Sequence, residues 1–168
     1  MIHTVQGDIF NAKTEAIVNP VNCVGVMGKG LALAFKQRYP NNYAAYRKAC
    51  QTHELQIGRI FTYRLKGDGE GKLHYIFNFP TKNHWRDASK VSYIEQGLDA
   101  LARTIEEIPI HSIAIPPLGC GLGGLSWDIV RPLVIKRLES LDCAIYLYDK
   151  FHAINRTRPN QKEGINHG

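Results

Sequence analysis

Several things that would dictate a function are missing from this chain. No apolar run reaches the roughly eighteen residues that a membrane span needs, so no membrane partner is expected. The stretch from Met1 to Phe10 carries Asp8 and no apolar h-region, which argues against a secretory signal and for the cytoplasm as the default compartment. Cysteine is scarce: Cys23, Cys50, Cys120 and Cys143 form no C-x-x-C pair, and none has a histidine at zinc-finger spacing. They read as small buried thiols in a reducing compartment. The seven histidines show no H-x-x-x-H spacing, so neither a metal nor any other cofactor is expected. There is no internal repeat and no low-complexity tract. A Walker phosphate loop and a Gly-x-Ser-x-Gly elbow are absent, and no G-x-G-x-x-G follows the first strand.

What is present suits one ordinary domain. The 168 residues are 44% hydrophobic and 21% charged. A chain of this size can bury about two thirds of its unfolded surface, so it folds without staples. Lys plus Arg number 21 against 15 acids, a net charge of +6, which favours polyanionic partners such as nucleic acid or phosphates.

The pattern alternates strands and helices. Ile2–Gln6 reads as an edge strand, and Gly7-Asp8 as a turn. Ala16–Val18 reads as a short buried strand opening into Asn19-Pro20-Val21-Asn22 and a glycine loop, Gly25–Gly30. Leu31–Tyr39 is a helix stopped by Pro40, and Tyr43–His53 a second helical stretch. Ile57–Leu65 and Leu73–Phe79 form a hairpin whose tip is Lys66–Lys72. Pro80–Ser89 reads as a polar loop, and Ser92 with Glu95 as a capping box. The helix it opens carries Ile94, Leu98, Leu101, Ala102 and Ile105 on one face. Ser112–Ile115 is a strand leading into a second glycine loop, Gly119–Gly124; Ser126 caps a helix to Leu138, and Ala144–Tyr148 is the last strand. The expected fold is therefore an α/β three-layer domain around a mixed central sheet, over residues 1–150, with 151–168 a polar tail or the start of a linker.

Each glycine loop follows a buried strand and precedes a helix. Glycine lets backbone approach a phosphate closely, and the N–H groups of a helix start point at it. Two such loops together suit a diphosphate. Each glycine taken alone is equally a tight turn.

Three motifs at the start of the chain then become specific. Val5-Gln6-Gly7-Asp8-Ile9, Ala16-Ile17-Val18-Asn19-Pro20-Val21-Asn22 and Met27-Gly28-Lys29-Gly30-Leu31-Ala32 resemble the macrodomain family, and Pro116–Gly124 is similar to that family's second phosphate loop. The resemblance covers about residues 1–149. It implies a macrodomain-like α/β/α fold that binds ADP-ribose. Asp8 would accept from the adenine amino group and the Ile9 backbone would meet the ring edge. Asn22 would hold the distal ribose, flanked by Pro20, Val21 and Thr81. Met27, Gly28, Lys29, Gly30 and Leu31 would cradle one side of the diphosphate. Leu118, Gly119, Cys120, Gly121, Leu122 and Gly123 would cradle the other. Apart from the resemblance, Asp8 reads as a helix N-cap and Asn22 as a turn residue.

Phe79-Pro80-Thr81-Lys82-Asn83-His84-Trp85-Arg86 resembles the catalytic segment of the DarG-type branch, antitoxins of DNA-modifying DarT toxins. It is less closely similar to the human terminal ADP-ribose protein glycohydrolase. Both imply a catalytic lysine at Lys82 and release of ADP-ribose, in the first case from thymine bases in DNA. An amine can attack the glycosidic carbon C1″ only when neutral, so its pKa must fall. Without the motif, Lys82 is a solvated loop lysine. The human enzyme has an aspartate directly after its Gly-Cys-Gly-Leu run, where this chain has Gly123; Asp87 and Asp128 are then the candidate acids or bases. His84, Trp85 and Arg86, with Lys90, make a basic aromatic cluster that could hold single-stranded DNA or simply pack. Trp127 reads as core, and Tyr146 and Tyr148 as either adenine neighbours or core. The expected partners are ADP-ribose, ADP-ribosylated single-stranded DNA and a DarT-type toxin, with the domain a monomer. Hydrolysis of ADP-ribose from acidic protein side chains or from O-acetyl-ADP-ribose, or binding without turnover, remain as alternatives.

Overall fold

The computed structural model describes residues 1–66 and 72–149. Six strands form one sheet: β1 (Ile2–Val5), β2 (Ala16–Asn22), β3 (Phe61–Arg64), β4 (Tyr75–Lys82), β5 (Ser112–Ile115) and β6 (Ala144–Tyr148). Their spatial order is β1-β6-β5-β2-β4-β3. Every neighbouring pair is parallel except β3 with β4, so the sheet is mixed.

Side chains alternate across a strand, so β2 feeds two cores. Ala16 and Val18 join Phe77, Phe79, Ile113, Ile115, Ile145 and Leu147 under α3 (Val91–Glu107) and α4 (Trp127–Leu138). Ile17 turns the other way, with Ile76 and Ala114, towards Leu31 and Phe35 of α1 (Gly30–Arg38). Burial on both faces is why these strands read as continuous apolar runs. The α3 face expected from periodicity is the buried one, with Ile94, Leu98, Leu101 and Ile105 at most 6% exposed. Gly97 lets it come close: a Cβ there would stand 2.2 Å from Cζ of Phe79.

Several boundaries differ from the sequence expectation, each for a physical reason. β2 continues through Pro20 to Asn22, because it pairs with β5 only at Ala16 and Ile17; beyond them it has β4 alone as neighbour. A proline is tolerated where one side of a strand lacks a partner. Pro40 both ends the first helix and occupies the first position of α2 (Pro40–Gln51), where its missing N–H costs nothing. Gly30, expected as the last residue of the first glycine loop, is the residue that begins α1. β4 runs on to Lys82, so Thr81 and Lys82 stand on a strand end and not in the polar loop. Ser92 is no cap: α3 begins at Val91 behind Lys90, and no side chain caps it. Ser126 does hold the N-cap position of α4, without a side-chain hydrogen bond. Trp127 is half-buried rather than core, its indole N–H donating to the Asp149 carboxylate. The hairpin is present, while most of its expected tip and the tail at 151–168 lie outside the described residues.

Candidate functional site

Beyond the carboxyl ends of β2, β4 and β5 lies a cavity of about 310 Å³. After β2 the chain moves to one side of that strand, to β3 and β4, and then crosses to β5 on the other. A crevice at such a switch point is where open α/β sheets bind ligands.

The first wall is the loop after β2. Asn22 is buried and its amide ties the turn together. Nδ2 donates to Val26 O at 2.7 Å, and Oδ1 accepts from the backbone N–H groups of Val24 at 3.1 Å and Val26 at 3.4 Å. The Tyr46 hydroxyl, from α2, lies 2.8 Å from the same Oδ1. One N–H of Asn22 is left for a ligand, and the residue lines the cavity. Asn22 is therefore the turn residue its sequence context suggested, with a donor to spare.

The second wall is the loop after β5. Gly119 has φ +73°, a left-handed conformation in which a Cβ would also meet Leu125 Cδ1 at 2.9 Å. Gly123 is buried against Ser89, whose backbone N–H donates to Gly123 O at 2.9 Å. Leu122 reaches across to the first loop, its Cδ1 3.5 Å from where a Gly30 Cβ would be. The two glycine loops thus face each other over one cavity, with backbone exposed on both sides, as a diphosphate requires.

Lys82 closes one end. It is the register partner of Asn22, so the two side chains start from adjacent strand ends. Nζ donates to Trp85 O at 3.2 Å. Burial holds the Lys82 amine below the usual lysine pKa, while the Asp87 carboxylate pulls it back up. Asp128 sits in the exposed first turn of α4 and does not line the cavity. Cys120 is the obvious rival nucleophile on the second loop, but burial pushes its thiol up to about 11, so it is not a thiolate at neutral pH.

The rim beside Lys82 carries Trp85, 43% exposed, with the Arg86 guanidinium carbon 4.5 Å from its ring centroid. The His84 ring lies 5.2 Å from the Trp85 ring, and its Nδ1 accepts from the Arg86 N–H at 3.1 Å.

The cavity brings together Pro20, Val21, Asn22, Gly28, Lys29, Gly30, Leu31, Thr81, Lys82, Trp85, Gly119, Gly121, Leu122 and Gly123 among the expected residues. It does not include Met27 and Leu118, both fully buried beneath the loops, nor Cys120, whose Sγ donates to Leu118 O at 3.4 Å. Asp8 and Ile9 lie beyond Leu31, which lines the cavity and packs in one cluster with Ile9 and Tyr148. The Asp8 carboxylate caps a 3₁₀ turn by accepting from Phe10 N at 3.0 Å, and after burial it is what raises the Tyr148 phenol pKa. Tyr148 is buried, whereas Tyr146 is half-buried and stacks on His3. Val26 and Ala32 line the cavity unanticipated, although both sit inside or beside the glycine motif. Tyr46 and Ser89, which hold the two loops from behind, had no local signal.

Comparison with known proteins agrees with this geometry. The Macro domain family model matches residues 18–134. A curated DNA ADP-ribosyl glycohydrolase of Thermus aquaticus is 48% identical over 153 residues, 89% of this chain and 41% of that protein. The solved macrodomain of Mycobacterium tuberculosis DarG superposes with a TM-score of 0.84 at 48% identity, over 88% of this chain and 97% of that one. The structure of Thermosipho africanus DarTG in complex with ADP-ribose gives a TM-score of 0.83 at 36% identity, over 88% of this chain and 41% of that one. The chain spans about two fifths of the length of the curated glycohydrolases it matches. With two facing glycine loops after β2 and β5 and the family model matching across both, the chain belongs to the macrodomain family.

Proposed function

We propose that this domain binds ADP-ribose between its two glycine loops and removes it from thymine bases of single-stranded DNA, reversing the action of a DarT-type toxin in the cytoplasm. The observation that carries this reading is Lys82: an amine with a lowered pKa in the wall of the cavity that the two glycine loops share. The Thermus aquaticus relative named above, at 48% identity, is a DNA ADP-ribosyl glycohydrolase and supports the choice of substrate.

The chemistry follows from the amine. The Nζ lone pair adds to C1″ of the distal ribose. The bond from C1″ to the thymine nitrogen breaks, its electron pair stays with the base, and the proton lost by Nζ passes to the base or to water. Water then hydrolyses the glycosylamine, freeing ADP-ribose and the lysine. Asn22 orients the sugar, and the loop N–H groups hold the phosphates. Of the two candidate carboxylates, Asp87 is the one whose charge reaches Lys82, and in this scheme it relays the proton through water, since it makes no ion pair with Lys82 and does not line the cavity. The domain acts as a monomer.

The test is to offer ADP-ribosylated DNA and glutamate-ADP-ribosylated protein side by side. Release from DNA is expected; release from protein alone would replace the substrate, and release from neither would leave a binding module.

Asp87→Asn gives a pH readout. Asp87 raises the Lys82 pKa, so removing its charge lowers that pKa further and keeps the amine neutral at lower pH. The acid limb of the single-turnover rate should move to lower pH. Its plateau should also fall if Asp87 carries the proton. An acid limb that stays in place or moves up would contradict the electrostatic coupling.

The rim cluster gives a salt readout. Replacing Arg86 and Lys90 by alanine should flatten the log–log salt dependence of binding to modified DNA by about 1.4, two phosphates at about 0.7 each. The salt dependence for free ADP-ribose should be unchanged. Equal slopes in wild type and variant would return the cluster to a packing role.

A further inference from the structure

The rim of the cavity has a second side. Next to the Trp85 corner the Cys23–Val26 turn leaves Val24 47% and Val26 37% exposed, two β-branched side chains close together in one turn, of which Val26 also lines the cavity. The two sides are joined by the backbone: Cys23 N–H donates to Asn83 O at 3.0 Å, which holds Val24 and the His84–Trp85 corner at the same rim. The turn is braced from behind by α2. Gly25 has φ +83°, and a Cβ there would lie 3.3 Å from Cγ of Arg47, so the Arg47 stem lies flat on the glycine. The Tyr43 hydroxyl donates to Gly25 O at 3.4 Å. Arg47 is exposed, and among the described residues no carboxylate lies within ion-pair distance of it; Arg137, by contrast, pairs with Asp99 at 2.7 Å.

Exposed apolar side chains, Trp85, Val24 and Val26, are thus flanked in the fold by two arginines: Arg86 over the Trp85 ring, and Arg47 with its stem against Gly25. Interleaved apolar surface and cations match the alternating bases and phosphates of a single strand. A duplex fits less well, because a modified base must leave its stack to bring its sugar to Lys82.

We propose that the Val24–Arg47 side of the rim is the second half of a single-stranded DNA track. Val24 packs on the modified base where it emerges beside Lys82, and Arg47 pairs with a neighbouring phosphate. This rests on the DNA reading above.

The test compares two substrates: ADP-ribosylated thymidine as a nucleoside, and the same nucleotide in the middle of a short single-stranded oligonucleotide. For Arg47→Ala, kcat/KM on the nucleoside should match wild type. On the oligonucleotide it should fall, with a log–log salt slope shallower by about 0.7, the value for one phosphate on a single strand. Arg47→Lys should keep the wild-type slope. Val24→Glu should lose activity on both substrates, since the base is common to both, while affinity for free ADP-ribose stays at the wild-type value. An unchanged slope in Arg47→Ala, or equal losses on nucleoside and oligonucleotide, overturns the proposal while leaving the DNA activity standing. If wild type releases ADP-ribose from neither DNA substrate but does so from glutamate-modified protein, the DNA reading fails and the track fails with it.

Discussion

Replacing Lys82 by alanine should abolish release of ADP-ribose from modified DNA while ADP-ribose affinity stays within about tenfold, or about 1.4 kcal/mol. The split is expected because Lys82 stands at one end of the cavity, on β4, while the phosphate loops follow β2 and β5. Deleting the amine removes the group proposed to attack and leaves the loops intact. Lys82→Arg sharpens the test. A guanidinium keeps its proton at any working pH and cannot attack, so this variant should be as inactive as alanine. If the positive charge merely stabilises the departing base, arginine should restore most of the rate. The pH profile adds an independent reading. Burial lowers the Lys82 pKa from its ordinary value, so the reactive neutral amine persists further down in pH than for a solvated lysine. The rate should rise with pH through that lowered pKa and then level off. Single-turnover release by wild type, alanine and arginine variants checks all three points. An active arginine variant would remove the covalent step from the mechanism.

Gly123→Asp should damage both stability and ligand binding, although it introduces the carboxylate that the human glycohydrolase resembling this chain has at that place. The reason is local. A Cβ at Gly123 would fall 2.2 Å from Ser89 Oγ, 2.9 Å from Ser89 Cβ and 2.6 Å from Gly119 O. Ser89 cannot give way freely, since it is buried and its N–H holds Gly123 O. Gly119 O is engaged as well, accepting from Leu125 N at 2.9 Å. Overpacking of this kind costs about 1–3 kcal/mol. The displaced loop also loses its phosphate geometry, and a carboxylate now faces the diphosphate at close range. Denaturant unfolding should show the stability loss, and calorimetry a large drop in ADP-ribose affinity. Adding Ser89→Gly should recover only part of either, because the Gly119 carbonyl remains in the way. A Gly123→Asp protein with wild-type stability and affinity would show that the loop is looser than its contacts imply. The comparison also explains why an acid at this position cannot be carried over to this chain: Ser89 fills the volume it would need.

Much of the architecture was legible because it rests on short-range pattern. Ser112–Ile115 and Ala144–Tyr148 are strands with the bounds their sequence suggested, each a short apolar run between turn residues. The buried face of α3 follows from its 3.6-residue period. Boundaries that depend on a neighbour were not legible. Pro20 lies inside β2 only because β5 stops pairing before it, and Thr81 and Lys82 lie on β4 only because Val21 and Asn22 continue beside them. The Ser92 box failed because α3 starts one residue ahead of it, behind Lys90, and no side chain caps that start.

For the site, sequence alone determined the chemistry on offer: two glycine loops after buried strands, an asparagine and a lysine read in the loops that follow strands, and a basic aromatic run. These are local properties, written in residue type and spacing. Only the tertiary structure decided which of them meet. It brings Lys82 level with Asn22 through the β2–β4 register and sets the two loops face to face through Leu122 and Gly30. It leaves both Asp128 and Asp87 out of the cavity wall, and of the two only Asp87 has a charge that acts on Lys82. It also supplies groups with no local signature, Tyr46 beneath Asn22 and Ser89 beneath Gly123. The physical reason is range: spacing along the chain encodes contacts within a few residues, whereas a pocket wall is made by residues that only the folded sheet brings within hydrogen-bond or van der Waals distance.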